Sequence, residues 1–172
     1  MKRKLLAVGV VASLISISIA LPSAQAISLA HSNNANSAVY NFKATTLQGK
    51  NFPGLTLAGK PSLLWFWAPW CSICRGESPD LVALSKAYKG KINLVGVASL
   101  GPVGDMKKFV SDTHTSTFTH LADPNGLIWG RFNIISQPSF VFISKSGVTY
   151  RLVGSLSKSD LFSLTDEIIK KA

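Results

Sequence analysis

Cys71-Ser72-Ile73-Cys74 holds both of the chain's cysteines, and two intervening residues give the separation at which one helical turn brings two sulfurs together. Such a pair can carry a disulfide that passes to another protein: one thiolate attacks, and the other releases the mixed disulfide that results. Two plainer uses compete with exchange. Zinc wants four ligands with Cys or His pairs at matching spacing, and the only other soft donors are His31, His114 and His120, His31 lying in an expected tether. A bridge kept for stability alone would close so small a loop that it would constrain the unfolded chain by only about 2 kcal/mol. Exchange is therefore the favoured chemistry, with the disulfide itself as the redox group and neither cofactor nor metal expected.

Position decides which sulfur does what. Ser62 to Trp67 is a short apolar run between Gly59-Lys60-Pro61 and Pro69, which predicts a buried central strand rather than a helix. From Ser72 to Tyr88 apolar residues recur at helical spacing, with Leu81, Leu84 and Tyr88 on one face, Gly90 as the stop and Pro79 as an expected kink. The cysteines thus open a helix, where unpaired backbone N–H groups and the helix dipole favour an anion. A free thiol ionises near pH 8.5, and a helix N-terminus lowers that by about a unit or more. Cys71, at the mouth of the helix, is the expected nucleophile, and Cys74, inside the first turn, the resolver.

Pro69, Trp70 and Ile73 crowd the pair. Trp67 reads as core, whereas Trp70, beside the nucleophile at a loop tip, is expected to be partly exposed in an apolar patch for flexible substrates. Glu77 follows Cys74 by three residues on the same helical face. It is either a solvated surface acid or a proton partner for the buried thiol.

Elsewhere, Val39 to Leu47, the turn Gln48-Gly49-Lys50 and Phe52 to Leu57 predict a hairpin in front of the central strand. Ile92 to Ala98 reads as a second buried strand, Asp105 as the cap of a helix through Val110, and Asp123-Pro124-Asn125-Gly126 as a loop before a short helical turn at Leu127 to Phe132. Ser139 to Ile143 and Thr149 to Val153 flank a turn at Ser144 to Gly147, and Ser157 with Asp160 opens a final helix in the manner of a capping box. The order hairpin, strand, helix, strand, helix, strand, strand, helix predicts an α/β domain, a mixed central sheet with helices on both faces.

Gly59-Lys60-Pro61, Leu64-Trp65-Phe66-Trp67-Ala68-Pro69-Trp70-Cys71-Ser72-Ile73-Cys74, Glu77, the Asp123 to Gly126 loop, Gln137-Pro138-Ser139-Phe140 and Val153-Gly154-Ser155-Leu156-Ser157-Lys158 resemble thioredoxin-like proteins in type and order. The likeness covers about residues 39–172 and is strongest to the extracytoplasmic TlpA, ResA and DsbE/CcmG group, nearest its soluble secreted DsbE-like members from mycobacteria. It implies a thioredoxin-like fold with an added N-terminal β-hairpin and thiol:disulfide oxidoreductase activity. It also implies that Pro138 is the family's cis-proline facing the cysteines, that Gln137 offers its main chain to a bound polypeptide, and that Glu77 tunes the thiols. Composition alone would make Pro138 trans. Two departures matter. The strand acid that carries protons in cytosolic thioredoxins is replaced by Trp65, and the Thr that peroxiredoxins place three residues before their catalytic Cys is Ala68. Peroxidase activity is therefore not expected, and the two-residue spacing also speaks against a related copper carrier, which would separate its cysteines by three.

Lys2-Arg3-Lys4, the uncharged run Leu5 to Leu21, Pro22 and Ala24-Gln25-Ala26 form the three-part pattern of a secretory signal cleaved after Ala26. An uncleaved anchor, which would leave the protein membrane-tethered, is the alternative, since the run is nearly long enough to span a bilayer. Residues 1–26 are thus read as signal peptide, 27–38 as a flexible tether rich in Ser, Asn and Ala, and 39–172 as the thioredoxin-like domain. The net charge of +10 falls to +7 without the first segment, and its scatter reads as a solvated surface, so no nucleic-acid partner is expected. Outside the cytosol disulfides persist. The expected partners are accordingly the thiols or disulfides of extracytoplasmic proteins, together with a membrane redox partner that resets the active site.

The expected role is oxidation of folding proteins by a secreted or otherwise extracytoplasmic enzyme. Reduction of apocytochrome c or other exported thiols uses the same parts, and members of such families differ by about 150 mV, or about 7 kcal/mol. A non-catalytic secreted binding module with a structural disulfide is the reading of a different class.

Overall fold

The computed structural model describes residues 38–171. The expected signal peptide and nearly all of the expected tether lie outside the described residues, among which no helix is long and apolar enough to cross a membrane. The chain forms β1 (Lys43–Thr46), β2 (Asn51–Pro53), β3 (Ser62–Trp67), α1 (Ser72–Ala87), β4 (Asn93–Ala98), α2 (Val103–Asp112), β5 (Thr119–Ala122), α3 (Leu127–Arg131), β6 (Ser139–Ile143), β7 (Thr149–Val153) and α4 (Lys158–Lys170). One sheet takes all the strands in the order β2-β1-β5-β4-β3-β6-β7. Strands β3, β4 and β5 are parallel neighbours, while β6 and β7 on one side and β1 and β2 on the other run antiparallel to the strands they join.

β3 is buried along its whole length, as its continuous apolar run requires of a strand covered on both faces. Strand alternation sends Leu63, Trp65 and Trp67 into one layer with Leu81 and Leu84 of α1, Phe109 of α2 and Leu161 of α4. Leu64 and Phe66 enter the other layer with Val95, Val97 and, from α3, Ile128 and Trp129. Held from both sides, β3 delivers the residues that follow it to a fixed place.

Three local expectations need correction. β5 was missing from the expected order; it lies between β1 and β4 and supplies the paired edge on which the hairpin docks. The second arm of that hairpin ends at Pro53, and Gly54–Leu57 is a 3-10 turn rather than more strand. Asp105 is not a cap: α2 starts at Val103 after Pro102, and Asp105 sits in its first turn, where a carboxylate interacts favourably with the helix dipole. Ser157 does cap α4, its Oγ accepting the Asp160 N–H at 3.1 Å.

The register places Phe140, Trp65, Gly96 and His120 in one row across β6, β3, β4 and β5. A Cβ at Gly96 would stand 2.2 Å from His120 Nδ1 and 2.8 Å from Trp67 Nε1. Only a residue without a side chain leaves room there for both rings, and Trp67 then stacks on Phe109 with ring centroids 4.3 Å apart. The wall behind the cysteines is thus a layer of rigid rings.

Candidate active site

The turn Ala68-Pro69-Trp70 carries the chain from β3 to α1, and Cys71 is the N-cap of that helix. Cys71 and Cys74 are joined by a disulfide. The Cys71 Sγ accepts the Cys74 backbone N–H at 3.0 Å, so one of the helix's otherwise unpaired donors is aimed at this sulfur. Cys71 is 5% exposed and Cys74 0%. What access the pair has therefore belongs to Cys71.

Apolar side chains surround that opening. Trp70 is 63% and Ile73 55% exposed, while Pro69 is half-buried. Trp70 is not free to swing, because its indole N–H donates to the Leu100 carbonyl at 2.8 Å. Leu100 is itself half exposed and has φ +59°, a left-handed backbone that a leucine adopts only at a cost. Beside it, a Cβ at Gly101 would lie 2.6 Å from Pro69 Cγ. These contacts fix one wall of a cleft of about 270 Å³ lined by Pro69, Trp70, Leu100 and Phe109 and by charged side chains that include Arg75 and Asp112. A larger recess, about 770 Å³ and lined in part by Arg131 and Arg151, involves none of these residues.

The Gln137–Pro138 peptide bond is cis. Pro138 is buried and Gln137 half-buried, and Ser139 pairs in register with Phe66, next to the end of β3 from which the cysteine turn departs. The Pro138 carbonyl accepts the Gly154 N–H at 2.9 Å.

Glu77 is not a solvated surface acid: it is 7% exposed. Its Oε1 accepts the Leu156 N–H at 3.1 Å from the loop before α4. Burial raises its pKa above the usual carboxylate range, against the pull of the Ser155 hydroxyl, the Leu156 amide and the Trp65 indole; Asp80 adds a smaller push upward. Tertiary contact from a loop far along the chain creates this environment, so helical spacing alone did not reveal it. Trp65, at the position of the absent strand acid, is fully buried.

The sequence pattern marks His120 only as a zinc candidate. Its ring is buried, Nε2 lies 3.0 Å from the Thr115 carbonyl, and burial lowers its pKa to about 4 although the Thr115 carbonyl favours the proton. The ring is therefore neutral at ordinary pH, with its proton on Nε2 facing that carbonyl. His114 is exposed, and among the described residues no three His, Cys, Asp or Glu side chains gather into a metal-binding group.

A disulfide at the N-cap of the helix that follows a central parallel strand, flanked in the sheet by a strand that begins after a cis-proline, is the architecture of thioredoxin-like proteins. Within that class the chain belongs to the AhpC/TSA family, whose model matches residues 35–151. It is 44% identical over 108 residues to the soluble secreted antigen MPT53 of Mycobacterium tuberculosis, a match covering 63% of this chain and 61% of that protein. The similarity thus spans less than two thirds of that relative's length. MTB DsbF, solved in mixed oxidised and reduced forms, superposes with a TM-score of 0.72 at 39% identity, covering 76% of this chain and 97% of that one. A secreted Mycobacterium tuberculosis disulfide oxidoreductase homologous to E. coli DsbE gives a TM-score of 0.71 at 38% identity, covering 75% and 97%.

Proposed function

We propose that the protein is an exported thiol:disulfide oxidoreductase that oxidises the thiols of folding extracytoplasmic proteins through Cys71 and Cys74. The observation that carries this reading is the disulfide at the α1 N-cap, with Cys71, the less completely buried of the pair, at the helix mouth and Cys74 inside the first turn. A substrate thiolate attacks Cys71 Sγ, the Cys71–Cys74 bond breaks, and Cys74 leaves as a thiolate that must be protonated or otherwise stabilised. A second substrate thiolate then attacks the substrate sulfur of the mixed disulfide. Oxidised substrate departs, Cys71 leaves as a thiolate beside the helix N-terminus, and the protein has gained two electrons. Passing those electrons to a membrane redox partner restores the disulfide.

Gln137 and the exposed Trp70 and Ile73 would bind the polypeptide that bears the attacking thiol, its main chain along Gln137 and its apolar side chains against the patch. Resemblance to a secreted antigen and a secreted disulfide oxidoreductase supports the extracytoplasmic setting and the assignment of residues 1–26 as the export signal. Ala68, where peroxiredoxins carry a Thr, favours disulfide exchange over peroxide reduction.

Cys74→Ala tests the roles of the two sulfurs: incubated with disulfide-containing protein, it should accumulate mixed disulfides through Cys71, because attack continues and release fails. No adducts would remove Cys71 as the attacker. Direction is tested by the reduction potential together with disulfide formation in a reduced, unfolded substrate. A strongly reducing potential without oxidase activity would turn the assignment into a reductase of exported thiols. Substrate binding that survives Cys71 alkylation with no electron exchange in the unmodified protein would make it a binding module.

A further inference from the structure

On the face of the sheet away from α1, the five residues of α3 bury Ile128 and Trp129 in one layer with Val141 of β6. Val141 pairs in register with Arg151 of β7, and cross-strand partners share a face, so Arg151 rises from β7 on this side. Val141, Arg151 and Arg131, the last residue of α3, all line the recess of about 770 Å³.

Main-chain carbonyls hold both guanidinium groups. Arg151 Nη1 donates to the Phe132 and Asn133 carbonyls at 3.2 and 2.9 Å, and Arg131 Nη2 donates to the Ala38 carbonyl. A carbonyl orients a guanidinium without cancelling its charge. What remains on Arg151 is the edge formed by Nε and Nη2, two parallel donors that match the oxygens of a carboxylate.

No acid of the chain answers these charges. Among the described residues neither arginine takes part in an ion pair, and none of the eight Asp and Glu side chains lines the recess. Asp123, at the other end of α3, is engaged by the Ile128 and Trp129 N–H groups. Residues 1–70 contain neither Asp nor Glu, so the segment that leads to Ala38 cannot supply a carboxylate side chain. Two oriented positive charges beside the apolar Val39, Leu127 and Phe132 are complementary to an anion with apolar neighbours.

We propose that this recess docks an extended acidic segment of a partner protein, with a carboxylate on the Arg151 edge and Arg131, and apolar side chains against Val39 and Leu127. β7 is an edge of the sheet, so beside Arg151 its outer main-chain groups have no strand partner among the described residues. A polypeptide can pair with that edge and meet the arginines together. A flat anionic membrane would fill neither the recess nor the strand edge. The site shares no residue with the cysteine turn and does not rest on disulfide exchange.

The test is fluorescence anisotropy of a short labelled peptide of alternating valine and glutamate, titrated with the oxidised protein, beside the same peptide with glutamine in place of glutamate. The glutamate peptide should bind more tightly. Arg131→Gln and Arg151→Gln should each weaken it about fivefold, the size of an exposed ion pair, and leave the glutamine peptide unchanged. That selectivity separates lost recognition from a loosened fold, and Arg131→Gln decides the matter if Arg151→Gln fails to fold. Equal affinity for the two peptides, or unchanged affinity in the variants, overturns the inference. Binding to phosphatidylglycerol vesicles without binding to the peptide overturns it in favour of a membrane contact. Free glutarate binding as tightly as the peptide overturns it in favour of a small-anion site.

Discussion

Acidification from pH 7 to pH 5 should cost the folded protein about 2 kcal/mol through His120 alone, with the pKa lowered to about 4 by burial. An unfolded chain binds this proton near pH 6.5, whereas the folded ring, set among Trp65, Trp67 and Phe118, resists it. Between those two values the unfolded state is protonated and the folded state is not. Stability therefore falls as pH drops below about 6.5, and the full loss, about 3 kcal/mol, is reached below about pH 4. Among the described residues the groups that face the ring are uncharged: β3 presents Trp65 and Trp67, β4 presents Gly96, and the segment before β5 presents Phe118 and the Thr115 carbonyl. Glu77 and Asp123, whose pKa values burial raises, act in the opposite sense, since the folded protein holds their protons more tightly than the unfolded chain. Urea unfolding of wild type and His120→Phe at the two pH values, with the disulfide kept oxidised, removes that background. The variant should be less stable at pH 7, having lost the bond to Thr115, but should lose about 2 kcal/mol less on acidification. Equal acid losses in the two proteins, or a native His120 ring that titrates near its ordinary value by NMR, would refute the reasoning.

Gly96→Ala should destabilise the fold by about 2 kcal/mol or more, since the new methyl would stand 2.2 Å from one ring and 2.8 Å from another that cannot both retreat; wild-type resistance to urea would contradict it. Asp123→Ala should cost about 2 kcal/mol or more, because Asp123 Oδ2 accepts the Ile128 and Trp129 N–H groups at 3.0 and 2.9 Å, and hydrogen exchange at those two amides should accelerate. Gly101→Ala should push the loop off Pro69 and break the Trp70–Leu100 bond, slowing exchange with a protein substrate several-fold while leaving reaction with a small dithiol nearly unchanged. An equal effect on both reagents would mean the Trp70 wall takes no part in polypeptide docking.

The cysteine junction was legible because its signals are local. An apolar run too short for a helix, a proline, then a helical period fix a strand, a turn and a helix within the span Ser62 to Ala87. The final cap at Ser157 was legible for the same reason, as its partner lies three residues away. β5 was not, because Thr119-His120-Leu121-Ala122 has neither the length nor the apolar density of a buried strand, and its strand state depends on pairing with β1 and β4. Glu77 was ambiguous for a related reason: its burial comes from the loop carrying Ser155 and Leu156, 79 residues away at the bonded amide. Nothing within a helical turn of Glu77 announces that loop.

Trp65 links these two failures. A tryptophan in the middle of β3 reads as ordinary core, and by volume it is: it lies in the row from Phe140 through Gly96 to His120 and stacks beside Trp67 at 5.7 Å. A strand carboxylate at that point would have to be charged or protonated between β6 and β4 with no partner in the row. An indole there leaves β3 free of charge, and the buried acid nearby is Glu77 on α1, where backbone and hydroxyl donors of a separate loop can reach it. β3 is thereby apolar on both faces, the condition under which the strand can hold the cysteine turn rigidly.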